Sequence, residues 1–133
     1  MKLGNNEVQL TKIVEKMGLT NLTPQIDTDT KYVTQPDVNR PALQLAGFYD
    51  HFDNERVQII GYVEEAYIET LDRETRVQRY RQLMESNIPC LIFCRSQQPD
   101  QDLLEIALKY EIPLLSSDAS TSSFMAEIIR WLK

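Results

Sequence analysis

The chemistry open to this chain rests on a few residue groups. Arg95 follows the apolar run Cys90-Leu91-Ile92-Phe93-Cys94, and Ser120-Thr121-Ser122 precede a segment whose apolar residues recur at helical spacing. An arginine beside hydroxyls at a helix start suits an anion such as phosphate or carboxylate. The first helical turn presents unpaired N–H groups and the positive end of the dipole. The same residues also have a structural reading, in which Ser120 or Thr121 caps its helix and Arg95 pairs with a nearby acid. Asp37, Asn39 and Arg40 form a second group. An arginine just ahead of a helix either forks onto phosphate or carboxylate or clamps its own loop to the sheet.

Cys90 and Cys94 read as a thiol pair for metal or redox work, or as two small buried apolar residues. On a strand they share one side about 13 Å apart, too far for a disulfide, and no other soft ligands accompany them. Arg73, Arg76, Arg79 and Arg81 form either a docking face for an acidic partner or a solvated helix face laced by Glu69, Glu74 and Glu85. Asp27/Asp29 and Asp50/Asp53 lie in expected loops, as weak cation ligands or solvated acids. His51, amid Tyr49-Asp50-His51-Phe52-Asp53, reads as a structural or surface histidine, and no Ser-His-Asp or Cys-His assembly is favoured.

Counts remove other chemistries. The glycines stand at 4, 18, 47 and 61, so neither GxxxxGK[ST] nor GxGxxG fits, and one histidine excludes HExxH. Acids outnumber bases 20 to 14 in 133 residues, a net charge of −6, which argues against nucleic acid or an anionic membrane as main partner. The opening MKLGNNEVQLTK has no apolar core of leader length, and Cys90–Cys94 is far short of a membrane span. A cytoplasmic location is the expectation.

The elements that would position these residues follow from periodicity. Val8, Leu10, Ile13, Val14 and Met17 predict a helix over 7–17, stopped by Gly18. Residues 19–29 read as loop with at most one short strand, and 31–34 as a strand. The stretch Pro36–Pro41 reads as punctuation, and Pro41 as the first residue of a short helix closed by Gly47. A strand over 56–60 ends at Gly61. Helices over 64–71 and 72–85 follow, the second capped by Asp72 and buried through Val77, Tyr80 and Met84. Then come a strand over 90–94, a helix from Pro99-Asp100 with Leu103, Leu104, Ala107 and Leu108 on one face, and a strand over 113–116. A last helix carries Phe124, Met125, Ile128, Ile129 and Leu132. Alternating strands and helices predict a three-layer α/β/α domain over 1–133, with a small, mostly parallel sheet of about four strands. Ligands of such sheets bind beyond the strands' carboxyl ends, here 61–64, 95–98 and 117–122. A phosphoacceptor receiver is disfavoured, because the strands end in Gly61, Arg95 and Ser116 rather than in acids and a lysine.

Asn39-Arg40-Pro41-Ala42-Leu43-Gln44-Leu45-Ala46-Gly47-Phe48 resembles the RPGLELAGY/F segment of the HPr kinase/phosphorylase family. An aromatic turn follows, then Glu55-Arg56-Val57-Gln58-Ile59-Ile60-Gly61, similar to that family's ERIQ strand. Ile88–Phe93 with Arg95, Pro113-Leu114-Leu115 and Thr121-Ser122 match further on, in register over about residues 7–132. Two departures stand out. Ala42 replaces a usual glycine, and Arg95-Ser96-Gln97 replaces Arg-Gly-Leu.

The resemblance covers only that family's N-terminal domain, similar in fold to the N-terminal domains of the muramyl-peptide ligases. Those domains help hold a UDP-sugar near an Asp-Ser-Arg segment, which Asp37–Arg40 loosely resembles. The resemblance implies a non-catalytic assembly or regulatory domain of a bifunctional HPr serine kinase/phosphorylase of carbon catabolite repression. It also implies ATP and Mg²⁺ on a C-terminal P-loop domain, none on this chain, and as partners that domain, sister subunits of a homo-oligomer, and HPr. Arg40, Pro41, Gly47 and Gly61 are the structural motif positions. The alternative is a domain that senses a small-molecule or phosphate ligand near Arg40, Arg95, Ser120 and Thr121, not tied to a kinase.

Overall fold

Alternation along the central strands decides the layers. The computed structural model describes residues 7–133; most of the opening stretch read for a leader lies outside the described residues. In chain order the elements are β1 (Val8–Gln9), α1 (Leu10–Met17), β2 (Thr20–Asn21), a 3-10 turn (Thr28–Thr30), β3 (Tyr32–Val33), β4 (Val38–Asn39) and α2 (Ala42–Leu45). There follow β5 (Val57–Ile60), α3 (Tyr62–Glu69), α4 (Arg73–Glu85), β6 (Leu91–Phe93), α5 (Gln101–Tyr110), β7 (Leu114–Ser116) and α6 (Thr121–Leu132). The main sheet runs β2-β7-β6-β5-β4, with β4 to β7 parallel and β2 antiparallel at the edge.

Successive strand residues point to opposite faces. Ile60, Leu91, Phe93 and Leu114 therefore meet α3, α4 and α5 through Ile68, Tyr80, Leu83, Met84, Leu103, Ile106 and Ala107. Val57, Ile59, Ile92 and Leu115 turn the other way, onto Leu10 and Ile13 of α1 and Phe124 and Ile128 of α6. Each fully enclosed Leu, Ile or Phe contributes about 1.5–3 kcal/mol of transfer free energy. The result is the expected three-layer α/β/α arrangement with a mostly parallel sheet.

Four local expectations are corrected. Residues 7–17 are not one helix. Val8 and Gln9 pair antiparallel with Val33 and Tyr32, and the Leu10 N–H donates to the Lys31 carbonyl at 2.8 Å before the helix starts. The strand at 32–33 thus belongs to a separate two-stranded sheet. Pro36–Pro41 is more than punctuation, because Val38–Asn39 pairs with Val57–Gln58 as an edge strand, where flanking prolines cost no ladder bond. On α5 it is Ile106, not Leu104 or Leu108, that is buried beside Leu103 and Ala107. Gly18 does stop α1, in the left-handed region at φ 63, which needs no side chain to clash.

The arginine stretch on α4 is a staple rather than a solvated stripe paired with glutamates. Arg73 and Arg76 reach Asp102 at 3.0 and 3.1 Å, and Arg76 also reaches Asp100 at 3.3 Å. Arg79 donates to the Leu45 carbonyl at 2.7 Å. Arg73 first, then Arg76, holds the Asp102 carboxyl down at about 2. Tyr80 donates its hydroxyl to Asp100 at 2.7 Å, and the other oxygen of Asp100 caps α5 by accepting from the Leu103 N–H at 2.8 Å.

Glu65 of α3 stands half-buried near this cluster. Burial first, then the negative charges of Asp100, Glu69 and Glu64, push its carboxyl up to about 7 from an ordinary 4.5. A group that binds its proton more tightly when folded stabilises the fold at low pH and loses that contribution as pH rises through its folded value. Glu65 should therefore make the chain lose stability between pH 4.5 and about 7. Melting curves across that window should slope downward in the parent and flatten in Glu65→Gln; an unchanged slope in the variant would reject the assignment.

Candidate functional site

The parallel strands deliver three loops to one edge of the sheet. β5 ends at Gly61, β6 at Cys94-Arg95 and β7 at Ser117. After β6 the chain turns to the α5 face, and after β7 it turns to the α6 face. Such a divergence between neighbouring strands is where open α/β sheets hold ligands.

Here the divergence is bridged by backbone. Ser117 N–H donates to the Phe93 carbonyl at 2.8 Å, Ser96 N–H to Ser117 at 2.9 Å and Arg95 N–H to Ala119 at 2.9 Å. The Ser96 hydroxyl adds a bond to Asp118 at 2.6 Å. Making these bonds places Arg95 and Ser96 in the left-handed region, at φ 59 and 57, at a cost of about 1–2 kcal/mol for each side-chain-bearing residue. Ser96 is the residue that departs from the Arg-Gly-Leu pattern. Its hydroxyl bond offsets part of what glycine would avoid.

Gly61 is the narrowest point. It has an extended backbone, so conformational freedom is not what it supplies; space is. A Cβ there would run into the Thr121 hydroxyl and lie 2.7 Å from Arg40 Nη2. Arg40 comes from the β4–α2 turn, which an amide network anchors: Asn39 Nδ2 donates to Gln58 Oε1 at 2.7 Å and to Gln44 Oε1 at 3.1 Å. From there Arg40 donates to Glu64 Oε1 at 2.7 Å, and the same oxygen accepts from the Gly61 N–H at 2.8 Å. Glu64 is 2% exposed and Arg40 34%. The Arg40 Nε is enclosed without a hydrogen-bond partner.

Cys94 lies under the same point. Burial pushes its thiol up, while the Thr121 hydroxyl, Arg40 and Arg95 pull it down and Glu64 pushes it up. Cys90 is raised to about 12 by burial alone. Both cysteines are free and buried, so neither offers a thiolate near neutral pH. At the surface the Arg95 guanidinium lies 4.8 Å from the centroid of the Tyr62 ring.

The structure thus brings Arg40, Arg95 and Thr121 around Gly61 and Cys94. Of the two candidate caps Ser120 is the one used: it accepts from the Ser123 N–H at 3.3 Å, while Thr121 is buried against Gly61. Pro41 stands at the cap of α2, one residue earlier than expected. Gly47 follows that helix at φ 96, against the Arg79 guanidinium. Asp37 lies 4.0 Å from Arg56, away from this cluster, and His51 is exposed. Among the described residues no group of three or more His, Cys, Asp or Glu is placed to hold a metal, and no helix is long and apolar enough to cross a membrane.

Sequence reasoning missed Glu64 and Tyr62. The signal for Glu64 was present, since an acid three residues after a helix cap reaches back to the cap N–H. What the arrangement can do is recognise an oxyanion; it presents donors and cations but no nucleophile paired with a base.

Comparison with known proteins places the chain further. The family described as HPr Serine kinase N terminus matches residues 8–132. The HPr kinase/phosphorylase of Lachnoclostridium phytofermentans is 50% identical over 126 residues, 95% of this chain and 41% of that protein. That of Caldicellulosiruptor bescii is 38% identical over 121 residues, 91% of this chain and 39% of that protein. The chain thus spans about two fifths of the length of these curated relatives. Among solved structures, the CBS and DRTGG domains of the regulatory region of Clostridium perfringens pyrophosphatase, complexed with its activator diadenosine tetraphosphate, share the fold. The TM-score is 0.60 at 15% identity, over 91% of this chain and 46% of that one.

Because Gly61 admits no Cβ, Gly61→Ala should displace both Thr121 and Arg40. The expected loss is about 1–3 kcal/mol, the range for overpacking a filled site. Urea unfolding measures it; a loss within ordinary surface variation would show that the approach is not tight.

Proposed function

The chain belongs to the HPr Serine kinase N terminus family, and on that premise we propose that it is the non-catalytic N-terminal accessory domain of a bifunctional HPr kinase/phosphorylase. The observation that carries this reading is the 50% identity over 95% of the chain to a relative of that name, of which the chain spans 41%. The remaining three fifths of such a protein leave room for a catalytic domain of its own. In this reading residues 1–133 form one domain in the cytoplasm. ATP, Mg²⁺, and phosphorylation and dephosphorylation of HPr in carbon catabolite repression belong to a C-terminal P-loop domain.

The residues present fit that division. Their glycine spacing admits no GxxxxGK[ST] loop, and the arginines at the sheet edge are braced by protein groups rather than arranged around a nucleophile. No step of phosphoryl transfer is therefore assigned to this chain. Its partners are the kinase domain and sister subunits, and Arg40, Pro41, Gly47 and Gly61 hold the fold.

The purified 133-residue chain, given HPr, ATP and Mg²⁺, should transfer no phosphoryl group; turnover that survives removal of contaminants would overturn the proposal. In a longer protein carrying the kinase domain, Arg40→Ala should alter stability or effector response more than the phosphoryl-transfer step. Loss of turnover alone, in well-folded enzyme, would count against the accessory role.

A further inference from the structure

The chain carries a net charge of −6, yet two arginines from different loops converge at the carboxyl edge of its sheet. Arg40 and Arg95 both act on the Cys94 thiol, so they bracket the same point, and Arg40 and Thr121 both press on Gly61. The protein's own anion already sits there. The Glu64 carboxylate, 2% exposed, accepts from the Gly61 N–H at 2.8 Å and from Arg40 Nη2 at 2.7 Å. A buried carboxylate so held shows which chemistry this cleft accepts.

Glu64 takes one of the five N–H donors of the Arg40 guanidinium. The Nε is enclosed and unpartnered, which costs free energy that an oxyanion forked across the guanidinium would recover. Arg95 rests only on the Tyr62 ring, itself 61% exposed. An exposed cation–π contact is weak, so Arg95 is available to swing onto an anion.

We propose that this cleft binds a small phosphate-bearing anion between Arg40 and Arg95 above Gly61, with Glu64 as its built-in competitor. This deepens the ligand-sensing reading of the same residues and does not depend on the kinase assignment, so a failed kinase assay and a failed binding test are distinguishable. A purely structural Arg40–Glu64 clamp predicts no binding at all.

The test follows backbone amide shifts of the 133-residue chain while inorganic phosphate or phenyl phosphate is added at constant ionic strength. The expected result is saturable movement at Gly61, Tyr62, Arg95 and Thr121 in the millimolar range. The tighter of the two probes shows whether free phosphate or a phosphorylated metabolite is the better fit. Glu64→Gln keeps an acceptor for the Gly61 N–H but frees the arginines, and should tighten binding about fivefold; Arg95→Gln, at an exposed position, should weaken it about fivefold. Shifts that never saturate with either probe, or saturable binding that neither variant changes, would overturn the proposal.

Discussion

Much of this molecule depends on the absence of one side chain. At Gly61 the end of β5, the first turn of α3, the first turn of α6 and the Arg40 guanidinium meet within contact distance. With no Cβ present, the Gly61 N–H and Arg40 share the Glu64 oxygen, and Thr121 closes over Cys94. These contacts join the edge strand β4, the central strands and both helical layers. Interiors are close-packed, so a contact this tight fixes its neighbours instead of yielding to them.

The loops beyond β6 and β7 show a second constraint. The sheet diverges there to opposite faces, and the backbone bridges the gap by continuing to hydrogen-bond past the strand ends. Two residues with side chains take left-handed conformations to do so. Such strain persists only where surroundings over-determine it. Here four hydrogen bonds, one of them from Ser96 to Asp118, do so. On the opposite helical layer, α4 and α5 are held by arginines on Asp100 and Asp102, with Tyr80 beneath. The basic stretch that stood out as a docking face is therefore in large part internal bracing.

Membership of the HPr Serine kinase N terminus family and the shared fold with a pyrophosphatase regulatory region set this architecture among domains attached to larger proteins. The physical features agree with a stable module: two apolar cores on either side of one sheet, and a chain that returns through α6 to cover the second face.

The chain itself determined its elements wherever local chemistry was strong. Asp72, Asp100 and Ser120 cap helices as their spacing indicates, Gly18 ends α1, and the apolar runs at 57–60, 91–93 and 114–116 are buried parallel strands. Arg40, Arg95 and Thr121 were also legible as candidates, because strand ends and helix starts can be located from periodicity. The pairings were not legible. Two-residue strands such as Val8–Gln9 and Val38–Asn39 have no periodicity to read and exist only because a partner lies alongside. Arg73 and Arg76 chose Asp102, more than twenty residues away, over glutamates on their own helix. Glu64 became the partner of Arg40 only when β4 was set beside β5. Capping and burial preference act within a turn or two of the chain, whereas ion pairs and close approaches depend on distances that only the packed sheet sets.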